Sequence, residues 1–106
     1  MHNDQEPKAT VERTLIEAIA SKQMVAGVYN GSAILLAPHQ LFARHGDLFV
    51  LALNTERTPR EDSERRLGQF KLAGLSEVAL TQETFEPLES FDPGPVRLGD
   101  EQLFSI

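Results

Sequence analysis

The chain has 106 residues, of which 41% are hydrophobic and 25% are charged, with a net charge of −6 and no cysteine. These values are ordinary for a globular protein with one modest core, so they predict a single domain. The lack of cysteine excludes disulfides and thiolate metal sites, and no apolar run is long enough for a transmembrane helix. We therefore expect a cytoplasmic protein with no membrane partner.

The excess acid is concentrated towards the C-terminus. Residues 24–81 carry six basic and six acidic side chains, whereas residues 82–106 carry one basic and six acidic side chains. A negative net charge weakens the case for a nucleic-acid partner, because like charges repel the phosphates. The neutral middle of the chain leaves that case open.

Residues 1–9 are polar and are predicted to form a flexible leader. From Thr10, apolar residues recur at the spacing of one helical face, which predicts a helix that ends near Gln23. Thr10 is the predicted N-cap, since its hydroxyl can accept a bond from an unpaired backbone N–H. The apolar stripe comprises Val11, Leu15, Ala18 and Ile19.

The segment 24–37 predicts a β-hairpin. Asn30-Gly31 supplies the positive φ angles of a two-residue type I′ turn between two apolar runs. Both faces of this hairpin are apolar, so we expect burial on each side. The resulting register pairs Tyr29 with Ser32, Gly27 with Ile34 and Val25 with Leu36.

The rest of the chain predicts further short strands. Pro38 is expected to end the second strand, because proline cannot donate to a ladder. The longest apolar run, 48–54, predicts a central strand that is buried on both faces. The other expected elements are an extended segment at 41–44, a turn at 45–47, a charged loop at 55–66, strands at 67–72 and 75–81 with a bend at Gly74, and an acidic C-terminal extension at 82–106, in which 98–106 forms a short helix or strand.

One helix followed by short antiparallel strands predicts an α+β, mostly β fold. The helix packs on a small antiparallel barrel, because closure removes sheet edges that a small apolar sheet cannot leave open. The predicted core residues are Leu15, Ile19, Val28, Leu35, Phe49, Leu51, Phe70 and Leu72.

The order and spacing of short motifs between residues 11 and 81 resemble the WYL domain. Pro38-His39-Gln40-Leu41 is similar to its Pro-x-x-Leu segment, Leu48-Phe49-Val50 to the tripeptide that names it, and Phe70-Lys71-Leu72-Ala73-Gly74-Leu75 to its Phe-Arg-Leu-Asp-Arg-Ile segment. The resemblance implies a helix on an Sm-like, SH3-type barrel at residues 10–81, of the kind found in bacterial transcriptional regulators. No separate DNA-binding domain is expected, since 23 residues precede the barrel.

The sequence departs from the family pattern at polar and aromatic positions. Leu48 and Phe49 replace the Trp and Tyr of the naming tripeptide, and Ala73 and Gly74 replace an Asp and an Arg. The remaining basic position is Lys71, which cannot make the bidentate contacts of arginine. The scaffold is kept, and much of the family's ligand surface is changed.

The resemblance implies binding of a nucleotide-type ligand or single-stranded nucleic acid through an aromatic and basic surface. The candidate residues are Lys71 and Arg44 for charge contacts, Tyr29 and Phe49 for stacking, and His39 within the Pro-x-x-Leu segment. Each type of residue also has a structural interpretation. Tyr29 then packs beside the hairpin with its hydroxyl at the edge, and the basic residues form a solvated face.

No catalytic activity is expected, because the sequence has no Gly-rich phosphate loop, Gly-x-Ser-x-Gly or His-Glu-x-x-His motif. His39 and His45 have no third ligand nearby, so no metal or cofactor is expected either. Two functions stay open, a ligand-sensing regulatory module and a degenerate barrel that acts in protein–protein contact. A concave, net-positive surface around Lys71, Arg44 and Tyr29 favours the first, and a flat or acid-covered surface favours the second.

Overall fold

The computed structural model describes residues 8–54, 67–88, 91 and 99–106. Most of the predicted leader and the whole predicted loop at 55–66 lie outside these residues. No helix in the described part of the chain is long and apolar enough to cross a bilayer. The described elements are one helix, α1 (Lys8–Ser21), and six strands: β1 (Gln23–Tyr29), β2 (Ser32–Arg44), β3 (Asp47–Asn54), β4 (Gly68–Lys71), β5 (Leu75–Thr84) and β6 (Glu101–Ser105).

The strands form one antiparallel sheet in the order β4-β3-β2-β1-β5, with β6 also paired to β2. This confirms the predicted α+β, mostly β fold with an N-terminal helix. Within the described residues the sheet does not close into a barrel, because β4 and β5 are the two ends of its hydrogen-bonded path. β2 pairs with three strands. β3 pairs along one edge of β2, and on the other edge β1 pairs with its first part and β6 with its second.

β2 continues through Pro38, so the prediction that Pro38 ends this strand is wrong. The pairing of β2 with β3 shifts register between Pro38 and Gln40, which marks a β-bulge. Proline is tolerated at a bulge, because the regular ladder is already interrupted there and needs no N–H from that residue. The bulge allows one long strand to change partners along its length.

The turn at Asn30-Gly31 has the predicted register and conformation. Tyr29 pairs with Ser32, and Asn30 and Gly31 have φ angles of 49° and 87°. Two positive φ angles in a two-residue turn agree with the predicted type I′ geometry.

We expect Gly31→Val to lower the free energy of unfolding by about 1–2 kcal/mol, because a β-branched residue is strained at a positive φ. An added Cβ at Gly31 meets no atom within 4 Å, so the cost is conformational and not steric. Gly31→Asn is the matched control, since asparagine adopts the left-handed region more readily. Chemical denaturation measures both variants, and an equal loss in the two would contradict this explanation.

The core lies between α1 and one face of the sheet. The predicted stripe of α1 is buried, and Leu15 and Ile19 are at most 1% exposed. The helix begins at Lys8, so Thr10 lies inside its first turn and is not the N-cap. A 3₁₀ turn between β4 and β5, Leu72–Gly74, contributes Leu72 to the same cluster. The sheet contributes Val25, Ile34, Leu36, Leu41, Val50, Ala52, Leu75 and Val78.

The predicted burial of the hairpin and of the central strand on both faces is correct only in part, because Ala37 and Leu53 on the second face are buried whereas Leu35 and Leu51 are half-buried. Successive side chains of a strand alternate between the two faces of the sheet, and α1 covers only the face that carries Val25, Leu36 and Val50. Three predicted core residues are buried, namely Leu15, Ile19 and Leu72. The other five are only half-buried: Val28, Leu35, Phe49, Leu51 and Phe70.

Part of the predicted C-terminal extension lies within the sheet. β5 continues to Thr84, and the short helix or strand predicted at 98–106 is the strand β6. Phe104 and Ile106 pack against the core cluster. The last residues of the chain therefore contribute to the fold.

Candidate functional site

Arg44, the last residue of β2, is bound by an acidic residue from the C-terminal end of the chain. Its Nε and Nη2 donate to Oδ1 and Oδ2 of Asp100 over 2.9 and 2.8 Å, and its Nη1 donates to Oε1 of Gln69 over 2.9 Å. The side chains of Arg44 and Asp100 are 14% and 2% exposed. Hydrogen bonding to Asp100 raises the pKa of Arg44 above its ordinary value. The pair is a bidentate ion pair largely withdrawn from solvent.

Two aromatic rings orient the Arg44 guanidinium. Phe42 and Phe49 are directly paired across β2 and β3, and their rings stack 5.3 Å apart with 8° between the planes. The Arg44 Cζ lies 5.1 Å from the Phe42 ring centre and 5.3 Å from that of Phe49. A cation over an aromatic face is attracted to it, so these rings fix the direction in which Arg44 presents its donors.

Lys71 lies on the same side of the sheet as Phe49. The two residues are direct partners in the β3–β4 ladder, so their side chains share a face. The Nζ of Lys71 is 3.4 Å from Oδ2 of Asp47, and both side chains are about half exposed. We call the group formed by Arg44, Phe49 and Lys71 the Arg44 surface. Each of its two cations has an acidic residue beside it.

Tyr29 does not stack beside Phe49. Its ring meets that of Phe70 edge-to-face, with centroids 5.1 Å apart, and its hydroxyl accepts the backbone N–H of Lys71 over 3.2 Å. Phe70 precedes Lys71 in β4, so its side chain lies on the opposite face. An added Cβ at Gly74 would lie 2.9 Å from Cε1 of Tyr29. Gly74 therefore leaves room for the Tyr29 ring.

A pocket of about 280 Å³ opens beside Tyr29. It is close to the lower end of the size range of small-molecule sites, which begins at about 300 Å³. No lining residue carries a charge at neutral pH, so the pocket suits a neutral planar group better than a phosphate. The lining residues are Tyr29, Asn30, Ser32, Ala33, Ile34, Asn54 and Phe70.

His39 is buried, with 1% of its surface exposed, and both ring nitrogens are hydrogen-bonded. Its Nε2 accepts the backbone N–H of Leu88 over 3.1 Å, which assigns the ring proton to Nδ1, 2.8 Å from the Ala37 oxygen. The rings of Phe85 and Phe91 lie 5.2 Å from the imidazole. Through these contacts His39 connects β2 with the segment that follows β5, and it is not part of the Arg44 surface.

This contact predicts an acid-sensitive fold. Burial lowers the pKa of His39 below its ordinary value of 6.5, although the bond to Ala37 acts in the opposite direction. Below about pH 6.5 the unfolded state therefore binds more protons than the folded state. The stabilisation by neutral, buried His39 is present above this pH and is lost as the pH falls. We expect the free energy of unfolding to fall as the pH drops through and below about 6.5, with a His39-dependent slope no steeper than the one-proton limit of about 1.4 kcal/mol per pH unit.

Chemical denaturation at several pH values measures this slope. His39→Gln removes the titrating ring and should flatten the profile. His45→Gln is the control, because His45 lies in an exposed turn. A wild-type slope retained in His39→Gln would show that another group is responsible.

Four residues of the observed site were not among the sequence candidates: Phe42, Asp47, Gln69 and Asp100. Phe42 lies two residues before Arg44 in one strand, so alternation would have placed both on one face. Asp100 is 56 residues from Arg44, and no local pattern relates the two. In the described ranges, no group of three or more His, Cys, Asp or Glu side chains is arranged to hold a metal ion.

A solved structure with a similar fold is that of proteasome accessory factor B/C (PafBC) of Arthrobacter aurescens, with a TM-score of 0.65 and 17% sequence identity. The match covers 77% of this chain and 13% of that chain, so this chain spans a small part of the length of that protein. At this identity the likeness shows the fold alone, and it supports a WYL-related fold. No protein-family model matches the chain, and no curated protein matches its sequence.

Proposed function

We propose that this chain is a non-catalytic regulatory module that acts through contact with another protein. The observation that carries this proposal is the pairing of both cations on the Arg44 surface. Asp100 binds Arg44 through both carboxylate oxygens, and Asp47 lies beside Lys71. Such a surface is acid-covered and close to neutral, so it attracts phosphates weakly and favours the protein–protein alternative.

Neighbouring side chains fit the composition of a protein contact. Leu103 on β6 is 39% exposed, and Phe49 on the Arg44 surface is half-buried. Protein interfaces combine apolar and aromatic side chains with polar groups around them. We propose that this non-catalytic module acts in the cytoplasm.

Site-specific photo-crosslinking tests this function in the native host. A photoreactive residue replaces Leu103 in one variant and Thr10, an exposed residue of α1, in the control. We expect a light-dependent adduct of defined mass from position 103 only. No adduct, or the same adducts from both positions, would count against a specific protein contact.

A nucleotide-type ligand or single-stranded nucleic acid is the second candidate, and the pocket beside Tyr29 favours it. The neutral lining and the rings of Tyr29 and Phe70 suit a nucleobase, which binds by stacking and by hydrogen bonds at its edge. The backbone N–H of Lys71 bonds to the Tyr29 hydroxyl, and Lys71 directly follows the pocket residue Phe70 in the chain.

NMR titration with a nucleotide panel and short oligonucleotides separates the two candidates. If the chain acts through protein contact, we expect no saturable chemical-shift changes with these ligands at physiological salt. For the second candidate, saturable shifts should occur at Tyr29 and Phe70, weaken with salt and disappear in Lys71→Ala without loss of the fold. Lys22→Ala, at an exposed position beyond α1, is the charge-matched control. Shifts lost in Lys71→Ala and kept in Lys22→Ala would replace our first proposal.

A further inference from the structure

β6 and β4 are the two described strands without a buried residue. The first three residues of β6 are exposed, and Phe104 and Ser105 are half-buried, so none of the five is buried. It pairs with β2 only between Gln40 and Ala43, with a register shift between Leu41 and Phe42. Segments that bury little apolar surface open at lower free energy than the core. β6 is therefore expected to leave the sheet before the core elements unfold.

Three kinds of contact nevertheless give β6 a defined position. The Asp100 carboxylate binds Arg44 at one end. The Ile106 N–H donates to the His39 oxygen over 3.0 Å at the other end, and the side chains of Phe104 and Ile106 pack against the core. A carboxylate anchor, a paired backbone and apolar side chains are the contacts that peptides make when they add a strand to a sheet edge.

We propose that Arg44 and the β2 edge at 40–43 form a binding site for an extended acidic segment of a partner protein. The chain's own residues 100–106 occupy this site until the partner displaces them. The proposal rests on the proposed function and names both the contact surface and the partner's chemistry. That partner segment carries Asp or Glu, followed four residues later by an aromatic or large apolar residue, as Asp100 is followed by Phe104.

Arg44 supplies the selectivity of this site. Backbone pairing along β2 is largely independent of sequence, whereas the Arg44 guanidinium is held by two rings and is only 14% exposed. A largely buried charge that loses its partner is unfavourable, so an incoming segment must replace the Asp100 carboxylate with its own acid. Segments without an acid at that position are disfavoured.

The chain's own residues 100–106 also set the affinity of the site for the partner. A site that is open for only a fraction of the time binds with an affinity reduced by that fraction. A change that weakens the hold of residues 100–106 must therefore strengthen binding of a segment in trans. The Asp100–Arg44 pair is the contact to weaken, because it lies outside the strand pairing itself.

A labelled peptide with the sequence of residues 99–106, Gly-Asp-Glu-Gln-Leu-Phe-Ser-Ile, is the probe, and the same peptide with asparagine in place of aspartate is its control. Both are titrated into the full-length wild type, Asp100→Asn and Glu101→Gln by fluorescence anisotropy. The aspartate peptide should bind Asp100→Asn on the order of tenfold more tightly than the wild type. Glu101→Gln, which changes the adjacent exposed acid, should behave as the wild type.

Arg44→Gln in the Asp100→Asn background tests the role of the cation. We expect this double variant to lose the preference for the aspartate peptide over the asparagine peptide. The proposed site is contradicted if the preference persists, if the peptides bind all variants equally, or if they bind none of them. A doubling of the mass of Asp100→Asn without peptide binding would show strand exchange between copies and would also overturn it.

Hydrogen exchange in the wild type keeps the proposal testable if Asp100→Asn fails to fold. The amides of Phe104 and Ser105 should exchange faster than those of β1 and β2. Exchange of these two amides only at the rate of global unfolding would contradict displacement of β6. The two proposals can also fail separately. A crosslink at position 103 without peptide binding retains the protein contact and removes this site. Peptide binding without a crosslink retains a site for an acidic extended peptide and removes the proposed protein partner in the host.

Discussion

Leu36→Ala is expected to lower the free energy of unfolding by about 2–5 kcal/mol, the range for a large buried aliphatic residue cut to alanine. Leu36 is 0% exposed and belongs to the cluster between α1 and the sheet. It also pairs with both β1 and β3, so neighbours on either side are held in place and cannot fill the cavity. Chemical denaturation of the purified variant measures the loss.

Leu35→Ala is the matched control, because the same side chain is removed one position away. Leu35 lies on the other face and is half-buried, so its loss should be clearly smaller. Similar losses at the two positions would mean that both faces of the hairpin are buried to the same extent.

Phe42→Ala is expected to lower the free energy of unfolding by about 3–5 kcal/mol. Phe42 is 0% exposed and stacks on Phe49 beneath the Arg44 guanidinium. The variant loses the buried ring and one of the two rings that orient Arg44. Denaturation measures the stability, and the NMR resonance of the Arg44 Nε–H reports the change at the guanidinium.

Phe42→Leu separates the volume of Phe42 from its aromatic character. Leucine fills part of the cavity, so the loss of stability should be smaller than in Phe42→Ala. The Arg44 resonance should shift in both variants, because neither retains the aromatic face at position 42. An Arg44 resonance that matches the wild type in both variants would show that Phe42 does not orient the guanidinium.

The elements of this fold that depend on neighbouring residues were predicted from the sequence. The Asn30-Gly31 turn, the register of the β1–β2 hairpin and the buried stripe of α1 all occur as predicted. A two-residue turn requires residues that adopt positive φ angles, and a helix requires apolar residues at a fixed spacing. Both requirements are visible within a few adjacent positions of the sequence. The ladder partnership of Phe49 and Lys71 agrees with the adjacent strands predicted around them.

The choice of buried face was decided by tertiary structure. Leu35 and Leu36 have the same side chain, and only the position of α1 over one face makes Leu36 the core residue. The bulge at Pro38 arises because β2 must pair with β1 along its first half and with β6 along its second. Such partners are distant in sequence, so no local rule distinguishes a proline that ends a strand from one at a bulge.

The character of the candidate site was also decided by tertiary structure. The sequence identified Arg44 and Lys71 as candidates for charge contacts, but only the folded chain brings Asp100 to Arg44 and Asp47 to Lys71. Likewise His39 is a candidate ligand-binding residue in the sequence, and packing of Phe85 and Phe91 around its ring makes it part of the interior. The sequence determined which side chains were present, and long-range pairing determined their charge environment, because electrostatic attraction and burial depend on distance in space.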